Sequence, residues 1–525
     1  MFIEELKNTL NEDYNEGIME NGAIGYKTIG KKLLDLNFQV SSMRNMDESE
    51  IIDKFVDAFY EDKIFAIKWL FFARDVREGL GERRLFRICM KHLATQKVDI
   101  ARAVLPLISE YGRWDDLLCL LNTDLKGDVV SIISHQLNED MVNMNTGKSI
   151  SLVAKWLPSC NTSSKETRRV AHTLISELKI SEKEYRKTLS NFRSYLKIVE
   201  TSMSEKKWNE INYETVPSRA NLIYGKAFLR NDEERRKEYL NNLKDSEVKI
   251  NAGTLFPHDI VHKYMTDVDY YYNRHNINRE EDVTLEELWK TLPDHINESG
   301  STICVADGSY SMTTKIGKTN LMALEVANAL AIYFSERCSG QFKDKYITFS
   351  KNPQLVNFSN CDSLKEKIQV ALRHNECANT NIEKVFDLIL YTAINNHMKQ
   401  EELPQNILIL SDMEFDNCTE SGDSDYYCKI SKPDKKLFKT LEEKYEKNGY
   451  KIPRLVFWNI CSRTGTIPVR ENDLGVALVS GFSPIIVTMV LSGKTDPFEC
   501  LLEKLNEERY KAVEDAIKNI IQDKT

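Results

Sequence analysis

Between residues 47 and 252 the apolar side chains recur three and four positions apart, the period of a helix with one buried face. Asp47 with Glu50 three positions on reads as a capping box, and Ile51, Ile52, Phe55, Val56 and Phe59 then share one face. Ser181 with Glu184 repeats the signature ahead of Tyr185, Leu189, Phe192 and Leu196. Strand patterns are almost absent. The stretch predicts a succession of short amphipathic helices, an α-solenoid of helical hairpins without a clean sequence period.

At Ser301 the pattern changes. Apolar runs at Thr302 to Ala306, Lys345 to Phe349, Ile407 to Leu410, Arg454 to Trp458 and Val476 to Val479 read as strands. Helical runs at Leu321 to Arg337, Ile382 to Asn395 and Lys435 to Lys447 lie between them. Such alternation predicts a mostly parallel, doubly wound sheet covered on both faces. The expected division is a helical domain over 1–295 and an α/β domain over 296–525 that ends in a helix from Pro497.

Candidate chemistry gathers at strand ends in the second half. In 303-ICVADGSYSM-312 an apolar run stops at Asp307, followed by Ser309 and Ser311. A loop threonine, Thr380, opens the helix of 377-CANTNIEKVF-386, and the apolar run of 406-NILILSDMEF-415 ends at Asp412. Acids and hydroxyls at the carboxyl ends of buried strands suit a hard cation, which takes oxygen ligands. An aspartyl nucleophile would want a second acid two residues on, where Ser309 stands. No Ser/His/Asp or Cys/His set is apparent, so the expectation is a protein that is not an enzyme.

Composition sharpens this only in part. With 42% hydrophobic and 29% charged residues the 525-residue chain is globular rather than disordered. Eleven cysteines, with no CxxC pair and no zinc spacing, read as reduced thiols of a cytoplasmic protein. No signal peptide is expected, since Met1 to Leu10 mixes acids with apolar residues. The longest apolar stretch, Gly475 to Leu491, is broken by Ser480, Gly481, Ser483 and Pro484; it reads as a strand, a turn and a helix start rather than a membrane span.

The distribution of charge says more than the net −9. Residues 401–428 hold 8 acids and no Lys or Arg, a field that favours a cation and opposes phosphate at the neighbouring strand ends. Residues 147–199 instead carry a net +7, including Lys155, Arg168, Arg169, Arg186, Lys187, Arg193 and Lys197. On the helix after Ser181, Arg186, Arg193 and Lys197 form one stripe. That stripe is either a solvated face or a track for a polyanion whose counterions are released on binding. In 73-ARDVREGLGERRLFR-87 a helix precedes Gly79 and Gly81, so they read as an inter-helix turn rather than a phosphate loop; Arg83 and Arg84 follow it. In 111-YGRWDDLL-118, Arg113 precedes Asp115 and Asp116, which read as helix-start acids paired with arginines rather than as catalytic carboxylates.

Asp307-x-Ser309-x-Ser311, Thr380 and Asp412, in that order and on those elements, resemble the metal-ion-dependent adhesion site of the von Willebrand factor type A domain. The resemblance implies a Mg²⁺ (or Mn²⁺) ion with Ser309, Ser311 and Thr380 as hydroxyl ligands. Asp307 and Asp412 would bind the ion or hold its waters. A helical domain, HEAT-like in its repeats, followed by such a domain resembles the TROVE-module proteins, the family of the Ro autoantigen. Those are ring-shaped, non-enzymatic binders of small structured RNAs and of single-stranded RNA ends. A nearer likeness is to a related plant and viral family of unassigned function, through Arg74 to Arg84, the YGRWDDLL stretch, Lys155 to Ser159, Tyr185 to Ser190, Val216 to Ala220 and Ser480 to Ser483.

The expectation is therefore a cytoplasmic, non-catalytic RNA-binding protein. Its helical domain would hold RNA through Arg83, Arg84, Arg113, Lys155, Arg168, Arg169, Arg186, Lys187, Arg193 and Lys197, and its type A domain would hold the metal. The alternative is a metal-dependent protein-interaction scaffold, in which a partner's acidic side chain completes the metal site.

Overall fold

The computed structural model describes residues 16–18, 24–26, 28–244, 250–265, 280–295, 301–350, 352–374, 382–413, 435–462, 477–487 and 496–522. Six strands form one sheet: β1 Thr302–Asp307, β2 Lys345–Phe349, β3 Leu355–Asn357, β4 Asn406–Ser411, β5 Arg454–Asn459 and β6 Ala477–Ser480. Their order across the sheet is β3-β2-β1-β4-β5-β6, and all neighbours are parallel except the edge pair β2/β3. Every residue of β1 and β6 is buried, as is all of β4 and β5 beyond the first residue. A strand buried on both faces needs helices on both sides, which is why these runs read as continuously apolar.

The five expected strands and the helices Ala323–Arg337, Ile382–Asn395 and Lys435–Lys447 all form, within two residues of the expected bounds. Two elements lacked a clear signal. The edge strand β3 is three residues long with two of them exposed, and the helix Leu364–Arg373 follows it directly.

The described chain divides into two compact units, each discontinuous in sequence, where the sequence pattern places one cut after residue 295. One unit joins residues 1–47 and 255–504; the other joins 48–254 and 505–525. The helices at Pro257–Met265 and Val283–Lys290 go with the sheet because their polar side chains find partners there. His262 Nδ1 lies 2.7 Å from Glu325 Oε2, and Glu286, buried, accepts from the amides of Leu364 (2.7 Å) and Lys365 (3.2 Å). The helix Lys32–Phe38 also belongs to this unit. Asn459 Nδ2 at the end of β5 donates to Phe38 O (3.0 Å), and Ser41 Oγ donates to Asn459 O (3.1 Å).

The other unit is helical, built from Glu48–Glu61, Lys63–Arg74, Arg83–Gln96, Lys126–Asn145, Lys165–Leu178, Glu182–Tyr195, Ser218–Asn231 and further helices. The Ser181/Glu184 capping box forms as the sequence predicts: Ser181 Oγ accepts from Glu184 N, and Glu184 Oε2 accepts from Ser181 N at 2.8 Å. The C-terminal helix Lys511–Gln522 packs here rather than on the sheet. Lys68, 1% exposed on Lys63–Arg74, donates to Asn506 Oδ1 (2.8 Å) and Glu514 Oε2 (2.9 Å). A buried ammonium needs such acceptors, and residues 506–514 supply them. Among the described residues no helix is long and apolar enough to cross a membrane.

Candidate functional site

The sheet places the candidate metal residues at a switch in its winding. From β1 the chain moves outward through β2 and β3, then returns to the opposite side of β1 as β4 and continues to β5 and β6. At such a point the crossovers leave in opposite directions, and a crevice opens beyond the carboxyl ends of the two adjacent strands. Asp307 is the last residue of β1, and Asp412 follows the last residue of β4; both are 1% exposed.

The loop after β1 brings its hydroxyls together. Asp307 Oδ1 accepts from the Ser309 amide (2.9 Å), which folds the chain into a one-turn helix over Tyr310–Thr313. Ser309 Oγ and Ser311 Oγ then stand 2.9 Å apart, at hydrogen-bond distance. That spacing also fits a cation: adjacent oxygens at right angles around an ion with 2.0–2.1 Å bonds lie about 2.9 Å apart. Asp307 Oδ2 accepts from Ser411 Oγ (2.6 Å), so a serine at the end of β4 orients the acid at the end of β1. Ser411 Oγ in turn accepts from the Met413 amide (3.1 Å), and Met413 is held at φ +65° directly after Asp412. A buried methionine in the left-handed region is costly, and such strain clusters where the backbone must present a functional group.

The donor set therefore fits a hard divalent cation, which takes oxygen ligands: two hydroxyls and two buried carboxylates. Thr380, the third expected hydroxyl, lies outside the described residues, as do 414–428 of the acidic segment. Sequence reasoning missed Ser411, although a serine immediately before a strand-end aspartate is the available signal. It also missed Tyr310, which stands between the two serines at 59% exposure.

In the helical unit the candidate basic residues separate into two groups. Arg84, Arg168, Arg169, Arg186, Lys187 and Lys197 are exposed. Arg186 has Glu182 4.0 Å away on its own helix, and Lys197 sits at φ +48° just past the helix Glu182–Tyr195. Arg193 behaves differently from its stripe neighbours. Its guanidinium donates to Ala154 O (2.9 Å), Leu157 O (2.8 Å) and Ser159 Oγ (2.7 Å), so it clamps the segment 154–159. Burial pushes its pKa down. Tyr185 Oη donates to Pro158 O (2.9 Å) from the same helix.

The clamped segment presents Trp156 to Arg113, whose guanidinium carbon lies 4.1 Å from the ring centroid, with Lys155 Nζ 5.6 Å from the same ring. Arg113 leads to the acids of YGRWDDLL. Asp116, fully buried, accepts from Arg74 Nε (2.8 Å), Arg87 Nε (2.6 Å) and the Arg113 amide (3.0 Å). Asp115 pairs with Arg83, with Arg87 Nη2 (3.2 Å) and with Arg113 Nε (3.3 Å). Burial alone would raise the pKa of Asp116, but Arg74 and Arg87 outweigh it and hold the carboxyl below its ordinary value. The two acids are thus structural partners of arginines, as expected, and Gly79 and Gly81 lie between the helices Lys63–Arg74 and Arg83–Gln96. A Cβ on Gly79 would stand 2.0 Å from Phe72 O, so the turn closes only without a side chain.

Residues 301–523 match a family described as a domain of unknown function (DUF7788), and residues 162–302 match a second one (DUF2828). The junction falls where β1 begins. The chain is 28% identical to uncharacterized protein L728 of Acanthamoeba polyphaga mimivirus over 531 residues, covering 94% of this chain and 87% of that one. The crystal structure of the RO (RSR) protein of Deinococcus radiodurans aligns with a TM-score of 0.41 at 13% identity, over 86% of this chain and 93% of that chain.

Proposed function

We propose that this chain is a non-catalytic RNA-binding protein in which a solenoid-like helical unit holds RNA and a type A α/β unit holds Mg²⁺. One observation carries the RNA reading. On Lys165–Leu178 and Glu182–Tyr195 the apolar residues turn inward, and the outward positions keep Arg168, Arg169, Arg186 and Lys187 in solvent. With Lys197, these are five positive charges against which, among the described residues, one carboxylate approach, Glu182 to Arg186 at 4.0 Å, is close enough to count. A phosphate backbone would neutralise them and release counterions. The resemblance of the sequence to TROVE-module proteins points the same way, toward small structured RNAs or single-stranded ends.

In the α/β unit Ser309, Ser311, Asp307 and Asp412, with Thr380, would hold the ion. Bound Mg²⁺ would supply one open coordination position for an oxygen ligand. The protein's own part is to orient that set, through Ser411 on Asp307 and the Ser309 amide on the same carboxylate.

The test is an electrophoretic shift of a small structured RNA, with and without a 3′ single-stranded end. Joint replacement of Arg168, Arg186, Lys187 and Lys197 by Gln is expected to weaken binding and flatten its salt dependence. Unchanged affinity would remove the stripe from the reading. Arg193 is left out of that set because its removal would free the 154–159 segment.

The alternative, a metal-dependent protein scaffold, has its own supporting observation in Tyr310, an exposed aromatic flanked by the two candidate hydroxyl ligands. A Mg²⁺-dependent protein pull-down lost in Asp412→Asn, with no RNA co-purifying, would favour it.

A further inference from the structure

The arginine cluster of the helical unit holds more positive charge than its acids neutralise. Arg74, Arg83, Arg87 and Arg113 surround Asp115 and Asp116, a surplus of two charges in one place. Donors exceed acceptors as well, since four guanidinium groups carry about 20 N–H donors and two carboxylates offer about 8 lone-pair sites. Two of these donors are buried without a hydrogen bond. Arg83 Nε lies 3.4 Å from Asp116 Oδ1, and Arg113 Nε lies 3.3 Å from Asp115 Oδ1, neither in hydrogen-bond geometry.

The members are not equally accessible. Arg74 is sealed at 2% side-chain exposure and serves as the anchor, whereas Arg83, Arg87 and Arg113 keep 41, 27 and 28%. Trp156 backs the Arg113 fork, and the Arg193 clamp holds Trp156 and Lys155 in place. The open side of the cluster is thus a rigid set of cations rather than a mobile surface charge. The strain of like charges also registers in the guanidinium groups. Burial, and after it Arg87, push Arg83 down, and burial with Arg83 does the same to Arg113 against the pull of Asp115.

We propose that Arg83, Arg87, Arg113 and Lys155 form a site for the terminal phosphate of a nucleic-acid strand. A phosphomonoester carries about −1.5 to −2 at pH 7 and three acceptor oxygens, matching both the surplus charge and the surplus donors. An internal phosphodiester carries half of that charge and leaves the cluster unbalanced. The site rests on the RNA reading above but is separate from the exposed stripe, which follows an extended backbone and needs no end.

Two measurements on the full chain separate the possibilities. Inorganic phosphate is titrated against chloride at equal ionic strength while thermal unfolding is followed. A saturable rise in Tm is expected, and it should weaken roughly tenfold or more in concentration in Arg83→Gln and in Lys155→Gln. Lys237→Gln removes one exposed charge outside the cluster and should change nothing. No saturable rise over chloride overturns the site. The second measurement compares one single-stranded RNA with a 5′-phosphate, a 3′-phosphate or neither. Preference for one phosphorylated end, lost in Arg83→Gln, supports the assignment; equal binding of all three overturns it. If phosphate stabilises the protein while no RNA binds, the phosphate site stands and the RNA reading falls.

Discussion

Arg74 and Asp116 form an ion pair from which water is excluded: Arg74 Nη2 lies 2.7 Å from Asp116 Oδ2, and the two side chains are 2% and 0% exposed. Removing one partner of such a pair leaves the other charge buried without compensation, which costs about 3–5 kcal/mol. Asp116→Ala is therefore expected to lower the urea midpoint of the helical unit by a large margin. Asp115→Ala should cost clearly less, because Asp115 is 18% exposed and its arginines can reach water. Equal effects in a denaturation series would show that the pair with Arg74 is not the anchor.

The C-terminal helix offers a second stability test. Tyr510 stacks on Tyr111 (5.8 Å between centroids) and meets Phe72 edge-on (5.9 Å), while Arg509 Nη2 donates to Asp75 Oδ1 (3.0 Å). Asp75 is fully buried, so Arg509→Ala leaves its carboxylate without a cation, held by the Arg77 amide and Tyr510 Oη alone among the donors described, and Ile517→Ala opens a cavity worth about 2–5 kcal/mol. Both should make Lys63–Arg74 exchange its amide hydrogens faster. Unaltered protection of that helix would contradict the docking of residues 505–525.

His262 gives the α/β unit a pH dependence. Its pKa is raised, chiefly by the hydrogen bond to Glu325 and against partial burial. A raised pKa in the fold means the protonated form is stabilised. The contribution is complete below about pH 6.5, the ordinary histidine value, and disappears as pH rises through the folded value. The stability difference between the natural protein and His262→Gln is expected to be larger at pH 6 than at pH 9. A difference independent of pH in thermal melts would refute it.

Metal binding has a direct readout in Mn²⁺ electron paramagnetic resonance. Addition of the protein should deplete the free-ion signal, and Asp307→Asn or Ser309→Ala should restore most of it. Ser411→Ala, which touches no ion but frees Asp307 Oδ2, should weaken binding by a smaller factor. Retention of full Mn²⁺ affinity in Asp307→Asn would remove the site.

Gly79→Ala is expected to prevent a native turn, because the new Cβ meets Phe72 O, a main-chain atom that cannot rotate away. Loss of soluble protein, or a strong drop in Tm, is the expected observation.

Much of the α/β half could be read directly. β2 and the helix Ile382–Asn395 match their apolar runs residue for residue, because a strand buried on both faces writes its bounds into composition. Asp307 and Asp412 could be placed at strand ends, and the pairing of Asp115 and Asp116 with arginines could be read from the arginines nearby in the chain. Ser411, in contrast, acquires its role only when β4 lies beside β1, 104 residues away in sequence. The stripe assigned to Arg186, Arg193 and Lys197 treated three basic residues alike, since helical spacing cannot tell a solvated guanidinium from one that binds the carbonyls of another segment.

The sequence by itself determined most of the helices and strands, that Asp307 and Asp412 stand at strand ends, and which stretches are basic. Those properties are local, set by periodicity, capping and composition. Only the tertiary structure decided which unit each segment joins, that Arg193 clamps Ala154 and Leu157, and that four arginines converge on two aspartates. Those outcomes depend on where a buried polar group finds its partner. That partner is fixed by the packing of distant segments, and neighbours in the chain carry no record of it.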